Sequence, residues 1–162
     1  MAAALTAIAI LAFVGLRRTL MAQLDDALRV TAELQARSFL EGRSLGHLGG
    51  NTGEVERFIR EVNRLVVVRD SLRRTLDANT DAARRLPLDT AAFTRALSGK
   101  PALATTRGPD GWLRTIYLRI PAAAGDAGVI QVGALLEPAE RSARGALLLM
   151  LATAALGALA AL

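Results

Sequence analysis

The chain has 162 residues, of which 52% are hydrophobic and only six are aromatic, and its 20 basic and 15 acidic residues give a formal net charge of +5. The absence of cysteine excludes disulfides, thiolate metal sites and cysteine nucleophiles, and the single histidine, His47, excludes histidine-rich metal sites. The basic residues are interleaved with acidic ones and have few aromatic neighbours, so nucleic acid is not a predicted partner.

All charged side chains lie between Arg17 and Arg144, and the stretches on either side have none. Because a membrane-spanning helix needs roughly 20 apolar residues, we predict a first transmembrane helix in 1–16 and a second, truncated one in 145–162. A cleavable signal peptide is the alternative for the first stretch, which lacks the positively charged start of such peptides. The residues between them, 17–144, are enough for one domain. Membrane lipid is therefore a predicted partner.

The first apolar stretch continues into a helical pattern without a break. No proline or glycine occurs from Leu16 to Glu41, so we predict a long helix over 17–41. Its apolar residues and one threonine recur at spacings of three and four and form a single stripe: Leu16, Leu20, Leu24, Ala27, Leu28, Thr31 and Leu34. The stripe either packs on the domain's own sheet or forms part of the seam of a parallel homodimer.

The next segment is predicted to be a loop followed by a short helix. Residues 42–53 contain five glycines, which favours a loop. Asn51 followed by Glu54 is typical of a capping box at the start of a helix.

Strand signals occupy the region from about 64 to 136. We predict two hairpins and a final strand, with strands at 65–68, 75–79, 102–107, 112–120 and 129–136. Between the hairpins, Asp89 is the predicted N-cap of a helix that ends before Gly99. An exit helix over 138–144 leads into the second apolar stretch. This order predicts an α+β domain with an antiparallel or mixed five-stranded sheet.

The order of elements and several strings resemble the extracytoplasmic sensor region of bacterial two-component sensor histidine kinases. The matching strings are LRRTLMAQLDDALRVTAELQARSF, LVVVRDS, LPLDTAAFTRALSGKPALATTRGPDGWLRTIYLRIP and VIQVGALLEPAERSARGALLLMLATAALGALAAL. They cover nearly the whole chain and are patterns of helix, strand and turn rather than invariant catalytic strings.

The resemblance implies a PAS-like sensor domain outside a bacterial cytoplasmic membrane, between two membrane helices. It implies a signal-input role, in which a stimulus changes the packing of the helices that lead into the membrane. The residues expected to transmit the signal are Leu20, Leu24 and Leu28 on the long helix and Glu137 and Pro138 before the second span. A homodimer and an extracytoplasmic partner or small anionic ligand are the implied partners.

In that family the second span leads to a HAMP linker, a phospho-accepting histidine helix and an ATP-binding domain. The resemblance implies that the parent protein is a histidine kinase whose ATP and magnesium belong to a domain after Leu162, with no cofactor in this chain. His47 lies in a glycine-rich loop rather than a helix, so it is not a candidate phospho-acceptor. Two alternatives remain open: the sensor region of a chemoreceptor or cyclic-dinucleotide enzyme, and a membrane-anchored structural or assembly scaffold.

No residue of the chain is predicted to be catalytic, and no metal site is predicted. The clustered carboxylates, such as Asp25 and Asp26, lie among arginines, where solvated ion pairs are the ordinary explanation.

One arginine departs from the apolar pattern of its strand. Arg114 falls on the same face as Trp112, Ile116, Leu118 and Ile120. A guanidinium on an apolar face needs a partner.

Three kinds of partner remain open for Arg114: an internal carboxylate such as Asp70 or Asp77, the sheet edge with water, or an anionic ligand bound bidentately. The further candidate ligand-binding residues are Arg69, Tyr117 and Arg119.

Overall fold

The structure is a computed structural model that describes residues 2–43, 45, 64–121 and 128–137, together with residues 141, 145, 148 and 152. Side chains in the first range are described from Ile10 onward. The predicted short helix after Asn51 and most of the exit segment after Glu137 lie outside the described residues.

The described elements are three helices and five strands. In chain order they are α1 (Ala2–Leu40), β1 (Leu65–Arg69), β2 (Thr75–Ala78), α2 (Asp81–Arg84), α3 (Thr90–Leu97), β3 (Ala102–Gly108), β4 (Gly111–Ile120) and β5 (Gly128–Leu135). The strands form one sheet in the order β2-β1-β5-β4-β3, and every neighbouring pair is antiparallel. The prediction of an α+β domain with a five-stranded sheet is confirmed.

Local sequence signals explain most of the element boundaries. The Asp89 carboxylate accepts a hydrogen bond from the backbone N–H of Ala92 at 2.8 Å and caps α3 as predicted. Helix α2 was not predicted. Its cap is Thr80, whose hydroxyl accepts from the backbone N–H of Ala83 at 3.1 Å, and a helix of one turn is too short to show a periodic pattern.

Helices α2 and α3 cover one face of the sheet. Phe93 and Ala96 of α3 pack against Tyr117 of β4. Ala83 of α2 and the following Leu86 belong to a neighbouring cluster with residues of β1 and β4. Together these clusters contain Val67, Ala78, Ala83, Leu86, Ala92, Phe93, Ala96, Ala102, Ala104, Leu113, Tyr117 and Val129.

Helix α1 lies on the opposite face. Its Asp25 carboxylate binds the guanidinium of Arg114, which points away from Tyr117 because side chains alternate along a strand. The Arg64 guanidinium donates to the carbonyl of Ala27 at 3.1 Å, which fixes α1 against the start of β1 as well. Strand β5 is buried along nearly its whole length, so side chains on both of its faces are shielded from water.

The predicted apolar stripe of α1 is buried at Leu28 and Thr31 and half-buried at Leu16, Leu20, Leu24 and Ala27. Leu28 is fully buried and Thr31 nearly so. The prediction for Leu34 is wrong, because that side chain is 53% exposed and Gln35 and Ala36 take the buried positions instead. Because an α-helix has 3.6 residues per turn, the buried face shifts by about one residue along the predicted stripe, from Leu34 to Gln35.

The chain divides into two compact units, one of residues 25–135 and one of residues 1–24 with 136–162. Among the helices whose side chains are described, none has both the length and the apolar character required to cross a membrane. The side chains of most residues in the two predicted spans, 1–16 and 145–162, are not among those described.

Leu28→Ala should lower the free energy of unfolding by about 2–5 kcal/mol, because it removes a fully buried side chain and leaves a cavity. Leu34→Ala on the same helix should change it by less than about 0.5 kcal/mol. Chemical denaturation of the 162-residue chain, followed by circular dichroism, measures both. Equal losses for the two variants would contradict the burial of this side of α1.

Candidate functional site

The first candidate site is the ion pair between Asp25 of α1 and Arg114 of β4. The Nε and Nη2 atoms of Arg114 donate to the two carboxylate oxygens at 2.8 Å each, so the pair is bidentate. The remaining Nη1 donates to the hydroxyl of Thr105 on β3 at 3.0 Å. The two charged side chains are 25% and 24% exposed, which leaves this pair partly open to solvent.

The electrostatics of this pair favour the charged state of Arg114. The hydrogen bonds from Arg114 to Asp25 raise the pKa of the guanidinium, and the charge of Asp25 adds to this against the opposing effect of burial. Bidentate, charge-assisted hydrogen bonds between arginine and carboxylate are among the stronger polar contacts in proteins.

The prediction that Arg114 needs a partner is confirmed, but the two carboxylates named for it are wrong. Asp70 closes the turn after β1, where its oxygens accept from the backbone N–H and the Nε of Arg74 at 2.7 and 2.6 Å. Burial acts to raise the pKa of Asp70, but these hydrogen bonds outweigh it and the pKa is lowered. Asp77 accepts from the backbone N–H of Leu45 at 2.8 Å.

The second candidate site is a polar cluster on the opposite face of the sheet, formed by Arg69, Tyr117 and Gln131. The Nε of Arg69 donates to Oε1 of Gln131 at 3.3 Å, and Nε2 of Gln131 lies 3.3 Å from the hydroxyl of Tyr117. Tyr117 and Gln131 are fully buried. The strand register explains the cluster, because Gln131 of β5 lies between Val67 of β1 and Tyr117 of β4.

The cluster binds the backbone of the loop that joins α2 to α3. The carbonyl of Leu86 accepts from Nη2 of Arg69 at 3.3 Å, and the carbonyl of Pro87 accepts from Nε2 of Gln131 at 2.9 Å. The backbone N–H of Asp89 donates to the hydroxyl of Tyr117 at 3.0 Å. Three side chains from three strands therefore fix a loop that has no regular secondary structure.

Arg69 is satisfied by neutral oxygens alone within the described part of the chain. Besides Gln131 and Leu86, its Nη1 donates to the hydroxyl of Thr75 at 3.1 Å and to the carbonyl of Arg73 at 3.3 Å. Burial lowers the pKa of Arg69. Burial also raises the pKa of Tyr117, so both groups are less inclined to be charged than they would be in water.

Sequence reasoning named Arg69 and Tyr117 as candidates and missed Gln131, which connects them. A signal for Gln131 was present, because it is the one polar residue in the apolar run of β5. A buried amide in a central strand requires hydrogen-bond partners.

The other predicted site residues lie apart from these two clusters. Arg119 is exposed on β4, with its Nη1 near Gly99. Leu20 and Leu24 are half-buried, and Glu137 forms an exposed ion pair with Arg141 at 2.6 Å. Pro138 lies outside the described residues.

The described residues contain no group of three or more side chains suited to holding a metal ion. Comparisons with protein-family models, curated proteins and solved structures give no match for this chain.

Arg114→Met should lower the free energy of unfolding by about 1–3 kcal/mol, between the values for exposed and buried pairs, because it leaves the Asp25 carboxylate without its partner. In an Asp25→Asn background the same change should cost clearly less. Arg119→Met, an exposed arginine on the same strand, is the control. Denaturation curves of the four variants test this, and equal costs of Arg114→Met in both backgrounds would contradict a coupled pair.

Tyr117 is the single tyrosine, so the ultraviolet absorbance of ionised tyrosine reports it alone. Because burial raises its pKa, we expect a titration midpoint above the ordinary value of about 10 and above that of the chain in denaturant. The contribution to stability is then complete below pH about 10 and is lost as the pH rises through the folded-state pKa. A folded midpoint equal to the denatured one would contradict this.

Proposed function

We propose that this chain is the signal-input module of a membrane-bound bacterial sensor histidine kinase. The central domain lies outside the cytoplasmic membrane, between two transmembrane helices, and its sheet belongs to the PAS-like class. The stimulus is received by this domain and is passed to a cytoplasmic kinase encoded after Leu162.

The observation that supports this proposal is the continuity of α1. One helix of 39 residues runs from the charge-free N-terminal stretch into the sheet domain. At a rise of 1.5 Å per residue it is roughly 58 Å long, which is enough to cross a bilayer and reach across a small domain. A continuous helix carries a shift or rotation from one end to the other.

The Asp25–Arg114 pair also supports the proposal, because it connects α1 to the sheet. Asp25 is the first residue of α1 within the compact unit 25–135, so the pair links the sheet to the helix where the helix leaves that unit. A change that breaks or re-forms this pair alters how α1 is held. Two arrangements of α1 that differ in this contact would serve as the two states of a switch.

A membrane-anchored scaffold is the alternative of a different class. A scaffold needs α1 only as a tether, so loss of the Asp25–Arg114 pair would leave its partner binding unchanged. In a signal-input module the same loss changes the output of the parent kinase.

Topology provides the direct test. Reporter fusions that are active only outside the membrane should be active at Gly49, and fusions active only in the cytoplasm should be active after Leu162. This result is expected because both charge-free stretches cross the bilayer in the proposal. The same compartment for both positions would contradict it.

A further inference from the structure

A cavity is lined partly by the loop that the Arg69, Tyr117 and Gln131 cluster holds and partly by Leu65, Leu113 and Leu135 of the sheet. Its volume is about 90 Å³. A cavity needs about 15 Å³ on this scale to hold one water molecule, so the space has room for a small apolar group. The lining also includes Ala82, Arg85, Leu86, Pro87 and Asp110.

Hydrogen bonds and close packing hold the part of the cavity wall formed by Leu86 and Pro87. The carbonyls of Leu86 and Pro87 are bound by Arg69 and Gln131. On the sheet side, Gly133 leaves room for Leu86, because a Cβ atom at Gly133 would lie 3.1 Å from Cδ2 of Leu86. A wall fixed in this way needs little ordering when a ligand binds, which favours affinity.

The lining of the cavity includes one positive and one negative side chain. Arg85 follows α2 and Asp110 lies in the β3–β4 turn, and both residues are exposed. Neither residue is among those that form ion pairs within the described part of the chain. Both charges are therefore available to a ligand.

We infer that this cavity binds a small zwitterion with an apolar side chain, that is, an aliphatic α-amino acid such as leucine. The isobutyl group occupies the space between Leu65, Leu113 and Leu135. Arg85 binds the carboxylate, and Asp110 accepts hydrogen bonds from the ammonium group. Binding does not depend on the proposed signal-input function, whereas a role for this ligand as the stimulus rests on it.

The test compares leucine with two analogues that each lack one charge. They are 4-methylpentanoate, which lacks the ammonium group, and 3-methylbutylamine, which lacks the carboxylate. Calorimetric titration of the 162-residue chain in detergent should give saturable binding of leucine, about tenfold or more tighter than that of either analogue. Methyl resonances of Leu65, Leu86, Leu113 and Leu135 should shift during the titration.

Charge-removing variants assign the two ends of the ligand. Arg85→Gln should weaken leucine and 4-methylpentanoate about tenfold and leave 3-methylbutylamine unchanged. Asp110→Asn should weaken leucine and the amine and leave the acid unchanged, and asparagine is equally suited to the turn. Arg84→Gln and Asp81→Asn are the matched controls, since these charges lie on α2 and do not line the cavity.

A third variant tests the cavity itself. Ala82 lines the cavity but is exposed, so Ala82→Phe should fill the space and abolish binding of all three compounds without lowering the melting temperature. The inference is overturned if leucine shows no saturable binding, if it binds no more tightly than both analogues, or if Arg84→Gln weakens it as much as Arg85→Gln. Each of these results leaves the topology test of the proposed function unaffected.

Discussion

The constraint on which this structure depends is that its sheet is covered on both faces. Helices α2 and α3 cover one face, and the other face, which α1 contacts through Asp25, is buried as well, so Arg69 of β1 and Arg114 of β4 have limited access to water. A charge removed from water must be compensated within the protein. Arg69 and Arg114 lie on opposite faces, and different groups compensate their charges. This difference determines what each arginine contributes to the structure.

Arg114 is paired with a carboxylate, and Arg69 is surrounded by neutral oxygens. The carboxylate of Asp25 raises the pKa of Arg114, whereas burial lowers that of Arg69. An ion pair between two separate elements can break and re-form. The free energy needed to break it is small where the pair is partly exposed, because water and salt screen the two charges. Arg69 is instead held by four neutral acceptors, and opening these hydrogen bonds would leave several buried groups without partners. The Arg69 cluster therefore favours one fixed arrangement of the loop above it.

The local features of the fold could be predicted, and the long-range pairings could not. The helical stripe around Leu28 and the cap at Asp89 follow from spacing and residue type within about ten positions. The partner of Arg114 lies 89 positions earlier in the sequence. Asp70 and Asp77 were closer in sequence, but backbone N–H groups already occupy their oxygens, that of Arg74 for Asp70 and those of Leu45 and Ala78 for Asp77. Alternation along a strand identified the face of Arg114 but could not identify which helix covers that face.

The covered faces also explain why Gln131 matters more than its sequence position indicated. A strand between two others cannot direct a polar side chain to solvent, so its amide must bind both neighbours or the backbone above it. Gln131 binds both neighbouring strands, because it accepts from Arg69 of β1 and its Nε2 contacts the hydroxyl of Tyr117 of β4. It also donates to the backbone carbonyl of Pro87 above it. The loop held in this way lines the cavity through Leu86 and Pro87. The same loop thus contacts the buried polar cluster and lines the apolar cavity, so a ligand there would meet a wall whose backbone is already held by hydrogen bonds.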